Sequence, residues 1–145
     1  MPLSFLSPIH KASRQIRIHL TDCMNELGLA PEEGHLLSYL RSYAPCAISE
    51  IHRVFGLKRS TLTSMLDRLE ERKLIRRELH PEDRRSFLVH LTRTGRTLAE
   101  KVQQPVEKLE ESIRSVVGHT DVRGFQRVME AIGNVTGVVV KSEES

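Results

Sequence analysis

The side chains of this sequence with chemistry to offer are mostly cations and hydroxyls, and they gather in its middle. Arg59, Ser60, Thr61, Thr63, Ser64 and Arg68 lie close together, with Lys58 just ahead of them; Arg84 and Arg85 follow later, with Asp83 beside them. Guanidinium and hydroxyl groups donate hydrogen bonds, and together they suit phosphate oxygens and the edges of base pairs. At helical spacing the first group occupies the side opposite Leu62, Met65, Leu66 and Leu69. A charged helix face is often only solvated surface, but Ser and Thr lower helix propensity without improving solubility, so this face calls for another reason. Glu70 and Glu71 are confined to its far end, which leaves the N-terminal half fit to enter a major groove. Lys58 is placed to meet phosphate alone.

Catalytic chemistry finds no comparable grouping. A phosphate-cradling Gly-rich loop, a nucleophile elbow and the His-x-x-x-His and Cys-x-x-Cys spacings are all missing, so no catalytic residue, cofactor or metal site is expected. His10, His19, His35, His52, His80, His90 and His119 are scattered. Cys23 and Cys46 read as thiols rather than a disulfide. Cys23 falls on an apolar stripe, and Cys46 stands beside Ala47; neither has a neighbouring cation to make it reactive.

The elements that must position the basic group follow from the apolar spacing. Ile48, Ile51, Val54 and Phe55 give a short helix, Gly56-Leu57 a tight turn with Gly in the left-handed position, and Arg59 to Arg72 a second helix, which together make a helix-turn-helix. The period then changes to two. Leu74 to Leu79 and Phe87 to Leu91 read as strands joined by His80-Pro81-Glu82-Asp83-Arg84-Arg85-Ser86, a hairpin with a basic tip. An Arg at that tip can enter a minor groove, and Asp83 is placed to hold the Arg85 guanidinium by a bidentate contact.

Long apolar stripes flank this centre. Ile9, Ala12, Ile16, Leu20, Cys23, Met24 and Leu27 form one helix face that stops at Gly28; Pro31 opens a second helix with Leu36, Leu37 and Leu40 inward, closed by Pro45. Leu98, Val102, Val106, Leu109, Ile113, Val116 and Val117 form a third stripe, in which Pro105 should introduce a kink. Beyond Gly118, Val122, Phe125, Val128, Met129, Ile132, Val135 and Val139 form a fourth. These stripes exceed what so small a centre can cover, so they point to pairing between subunits; the plainer alternative is a helical bundle within one chain.

With 145 residues the chain has room for one compact unit and its pairing helices. Residues 31–96 are expected to form a DNA-binding winged helix-turn-helix, and 1–30 and 97–145 dimerisation helices. Aromatics are 4% and Trp is absent, a profile that favours helices, and the fold class expected is mainly α with a small β-hairpin wing. Net charge is +3, unevenly spread: up to Pro45 it is zero, from Cys46 to Arg96 there are 12 Lys and Arg against 7 Asp and Glu, and from Thr97 onward 6 against 8. A basic centre between neutral and acidic helices suits one surface that faces nucleic acid. No apolar run spans a membrane, and the start Met1-Pro2-Leu3-Ser4-Phe5-Leu6 is no signal peptide, so a cytoplasmic location is expected.

These residues resemble the multiple antibiotic resistance regulators, the MarR family. The resemblance rests on Ile48-Ser49-Glu50-Ile51, Leu57-Lys58-Arg59-Ser60-Thr61-Leu62-Thr63, the run from Leu66 to Arg77, Pro81-Glu82-Asp83-Arg84-Arg85-Ser86, and Leu91-Thr92 with Gly95. It implies a homodimer with interlocked first and last helices, two winged heads that read a palindrome in double-stranded DNA, and a pocket for a small-molecule effector where head meets dimer helices. It also implies that Arg59, Ser60, Thr61, Thr63, Ser64 and Arg68 contact DNA from the recognition helix and Arg84 and Arg85 from the wing, and that the regulator is a repressor. Family branches that sense zinc or peroxide draw attention to Cys23 and His35, but the zinc branch's further His residues on the long fifth helix have no counterpart between His90 and His119. Three departures stand out: Ala47 and Lys58 replace usual helix caps, and Lys73 replaces a frequent Gly, where a left-handed backbone would strain it. The alternative from another class, a winged helix that binds protein instead of DNA, usually lacks the basic helix and wing that this chain retains.

Overall fold

In the computed structural model, which describes residues 2–138, the chain runs α1 (Leu6–Glu26), α2 (Pro31–Tyr43), β1 (Cys46–Ala47), α3 (Ile48–Phe55), α4 (Arg59–Glu71), β2 (Ile75–Leu79), β3 (Phe87–Leu91), α5 (Arg93–Arg114) and α6 (His119–Thr136). The fold is mainly helical with a hairpin wing, as the periods imply. Val139, assigned to the last stripe, lies outside the described residues.

Local chemistry sets most of the boundaries. α1 ends at Gly28, whose φ of +73° lets its N–H reach the Asn25 carbonyl and the Leu29 N–H reach that of Met24, the paired bonds of a left-handed helix stop. α2 opens on Pro31, and Glu33 Oε1 accepts the Ala30 N–H at 2.8 Å, which supplies one half of a capping box although Ala30 has no acceptor for the other. Ala47 and Lys58 start α3 and α4 without side-chain caps, and Gly56 closes α3 at φ +62°. Lys73 does adopt a left-handed backbone, φ +60°. α5 runs unbroken through Pro105.

The Leu-Thr-x-x-Gly run acquires a physical reason. The Thr92 hydroxyl donates to the Lys73 carbonyl at 2.7 Å while its oxygen accepts the Gly95 N–H at 3.0 Å, which caps α5 and ties it to the end of α4. At Gly95 a Cβ would overlap the Leu74 carbonyl oxygen, so only glycine lets α5 start this close to the wing.

One strand escaped the sequence reading. Besides the expected antiparallel β2–β3 hairpin, with Ile75 opposite Leu91 and Leu79 opposite Phe87, β1 pairs with β3 through Cys46 opposite Val89, which gives the order β1-β3-β2. Two residues carry no period, so nothing in the pattern could reveal it.

The core is built from Leu36, Leu37 and Leu40 of α2, Ile51 of α3, Leu62, Met65, Leu66 and Leu69 of α4, Ile75 and Val89 of the sheet, Met24 and Leu29 from the end of α1, and Ala99 and Val102 from the start of α5. The Tyr39 ring meets Phe55 edge-on, centroids 5.6 Å apart, and locks α2 against α3. No α6 side chain is buried among the described residues. No described helix is long and apolar enough to cross a membrane.

Candidate nucleic-acid interface

α4 presents the expected split. Leu62, Met65, Leu66 and Leu69 are buried, whereas Lys58, Arg59, Ser60, Thr61, Thr63, Ser64 and Arg68 are all exposed. The Thr63 hydroxyl donates to the Arg59 carbonyl at 2.9 Å and keeps its lone pairs for an incoming donor. The face divides along its length. Arg68, toward its C-terminal end, stands 3.5 Å from Glu33 Oε2 of α2, and Arg72 Nη1 donates to the Gly28 carbonyl at 2.6 Å. The C-terminal half thus leans on the rest of the chain.

The wing tip is built by main-chain turns. The His80 and Ser86 main chains bond at 3.0 Å, and Asp83 and Ser86 at 3.1 Å, which closes the loop from 80 to 86. Arg84, Arg85 and Asp83 are exposed on it. Here the structure corrects the sequence reading: Asp83 Oδ1 accepts the Arg85 main-chain N–H at 3.0 Å, in place of its guanidinium. A carboxylate that takes the N–H two residues on forms an Asx turn, so Asp83 shapes the tip and leaves the Arg85 side chain to project.

A third feature was not singled out from sequence. Arg77 on β2 donates from Nε to Glu70 Oε2 at 3.2 Å, from Nη2 to Glu70 Oε1 at 3.0 Å and to Asp67 Oδ1 at 2.7 Å, and its main-chain N–H adds a further bond to Glu70 at 3.1 Å. The Arg77 hydrogen bonds hold the Glu70 carboxyl below the usual carboxylate range and raise Arg77 in turn. This fork fixes the base of the wing to α4. Its signal in the sequence was an acid on the last turn of a helix with an Arg early in the next strand, legible only once the turn between them is known. On the other face of the hairpin Glu78 bonds Arg76 and His90, each at 2.9 Å, and Arg76 first and His90 second lower its carboxyl pKa.

Beneath the head, α1, α2 and α5 line an open cavity of about 720 Å³. Ile16, Leu20, Met24, Val102 and Val106 supply apolar walls, and Arg17, Glu32, His35, Gln103, Glu107 and Glu110 supply polar groups. Arg17 and Glu32 pair across its rim at 3.5 Å. Of the two residues weighed for sensing, His35 lines this cavity and stacks edge-on against Phe55, centroids 4.7 Å apart, while half-buried Cys23 packs on the core.

A short helix, a glycine turn, a second helix with a polar outer face and a basic hairpin, in that order, define a winged helix-turn-helix. The MarR family profile matches residues 29–87. The transcriptional regulator PecS of Dickeya dadantii is 34% identical over 80% of this chain and 70% of its own length. The transcriptional repressor MdtR of Bacillus subtilis is 32% identical over 61% of this chain and 57% of its own. In fold, the chain superposes on S. aureus MepR from its DNA complex with a TM-score of 0.80, covering 92% of this chain and 99% of that one at 18% identity. The chain belongs to the MarR family. It is a DNA-binding transcription regulator and not an enzyme.

Proposed function

We propose that two copies pair through the outer faces of α1, α5 and α6, and that the paired heads repress transcription by reading a palindrome in duplex DNA. The observation that carries this reading is the exposed apolar surface on those helices, Ile16, Ile18, Ile113, Phe125 and Val135 among it, which a lone chain leaves in water. Arg59, Ser60, Thr61, Thr63 and Ser64 enter the major groove, Lys58 meets phosphate, and Arg84 and Arg85 reach the flanking minor groove. A small amphipathic molecule in the α1–α2–α5 cavity relieves repression. The names of MdtR, a repressor, and of the MepR–DNA complex support the direction of the effect and its target.

Selection of bound sequences from a random duplex pool tests this. The recovered site should be an inverted repeat with A/T-rich flanks, and asymmetric sites would refute the paired reading. On that site Arg85→Ala should cost roughly 1–3 kcal/mol. Asp83→Ala should weaken binding as well, because the tip loses its turn, although deletion of an acid beside phosphate would by charge alone tighten it. Tighter binding by Asp83→Ala, in anisotropy titrations, would leave the wing without its assigned role.

A further inference from the structure

Two cations of the recognition helix are engaged inside the protein. Arg68 on α4 and Arg72, the residue that caps its C-terminus, lie one turn apart, and their partners, Glu33 and the Gly28 carbonyl, belong to the corner between α1 and α2. That corner is stiff at both ends. The Gly28 and Leu29 N–H groups close α1, Leu29 is buried, and Glu33 holds the Ala30 N–H. The Gly28 carbonyl lies just beyond the negative C-terminal end of α1, a natural acceptor for a guanidinium.

Glu33 makes the case stronger than a surface pair would. Its side chain is 9% exposed against 57% for Arg68, and a carboxylate so far from water needs a cation at hand. The same corner walls the cavity through Pro31, Glu32 and His35. The position of α4 is therefore set by a segment that the cavity also touches.

We propose that Arg68 and Arg72 are positioning residues that seat the recognition helix on the α1–α2 corner, and that Arg68 acts on DNA through Glu33 and not as a phosphate contact of its own. The inference rests on α4 being the helix that reads DNA, and it assigns Arg68 a different task from its neighbours Arg59 to Ser64.

The test is a double-mutant cycle of Glu33→Gln and Arg68→Ala, read by fluorescence anisotropy on a labelled duplex from the random-pool selection, over a salt series. Glu33→Gln keeps an acceptor for the Ala30 N–H, so α2 still starts where it does, and matched melting curves check that each variant folds. Each single change should weaken binding by roughly five- to tenfold, about 1–1.4 kcal/mol, with the salt slope unchanged. The double variant should bind no worse than the weaker single one, Arg68→Lys should recover most of the loss, and Arg72→Ala should weaken binding with the same unchanged slope. Losses that multiply, a salt slope flattened by about one unit in Arg68→Ala, or tighter binding by Glu33→Gln would overturn the proposal. A wild-type chain that bound no duplex would instead remove the reading of α4 on which it stands.

Discussion

Leucines and valines at helical spacing meet opposite fates in two regions of this molecule. In the head, Leu36, Leu37, Leu40, Ile51 and Leu69 are each 0% exposed. Just past the end of α5 Val116 is 81% exposed, and along α6 Phe125 is 62% exposed and Val135 87%. The periodicity is equally regular in both, so amphipathicity alone does not say where a stripe finds its cover. The head closes on itself because α2, α3, α4 and the sheet surround one another and borrow the ends of α1 and α5. Among the described residues α6 has no such neighbours and buries no side chain, and burial of a side chain as large as Phe125 is worth about 1.5–3 kcal/mol that a lone subunit forgoes.

That contrast breaks first at the pairing face. Phe125→Glu should prevent assembly outright at micromolar concentrations while the melting of the head changes little, because Phe125 touches no part of its core. Light scattering and thermal unfolding on one sample separate the two effects, and a stable pair in the variant would take α6 out of the interface.

The next effect lies in the head. Gly95→Ala should destabilise it by about 1–3 kcal/mol, toward the upper end, since the Cβ meets the Leu74 main chain first, which cannot turn away as a side chain can. Urea unfolding measures this; a change under about 0.5 kcal/mol, typical of neutral surface sites, would show that α5 can move off the wing without cost.

The smallest effect has the opposite sign. Lys73 holds φ +60° at the end of α4, and Lys73→Gly should gain roughly 0.5 kcal/mol, the relief of left-handed strain less the extra freedom of glycine when unfolded. A loss in the same unfolding assay would mean that Lys73 makes a contact that outweighs its backbone.

What the sequence disclosed, and what it withheld, follows the range of the interactions. Gly28 and Gly56 act within a few residues of themselves, and so do the buried positions of α4; their roles could be read from spacing. The wing was legible from its period of two, and the exposure of Arg59, Ser60, Thr61, Thr63 and Ser64 from the apolar residues spaced among them. The partners of Arg68, Arg72 and Arg77 were not, since Glu33, Gly28 and the last turn of α4 come near only after the chain folds back. Asp83 was misassigned for a related reason: a side chain two residues from Arg85 competes between its guanidinium and its main-chain N–H, and the turn decides. β1 is short enough that only its partner β3 makes it a strand.

The claim on which the rest depends is that the outer helices are covered by a second copy of this chain. Sedimentation equilibrium of the 145-residue chain, from nanomolar to micromolar concentration and without DNA, measures it most directly. The account predicts twice the chain mass over the micromolar range, with no larger species as concentration rises. A single-chain mass throughout, from protein that still binds its selected duplex, would contradict it.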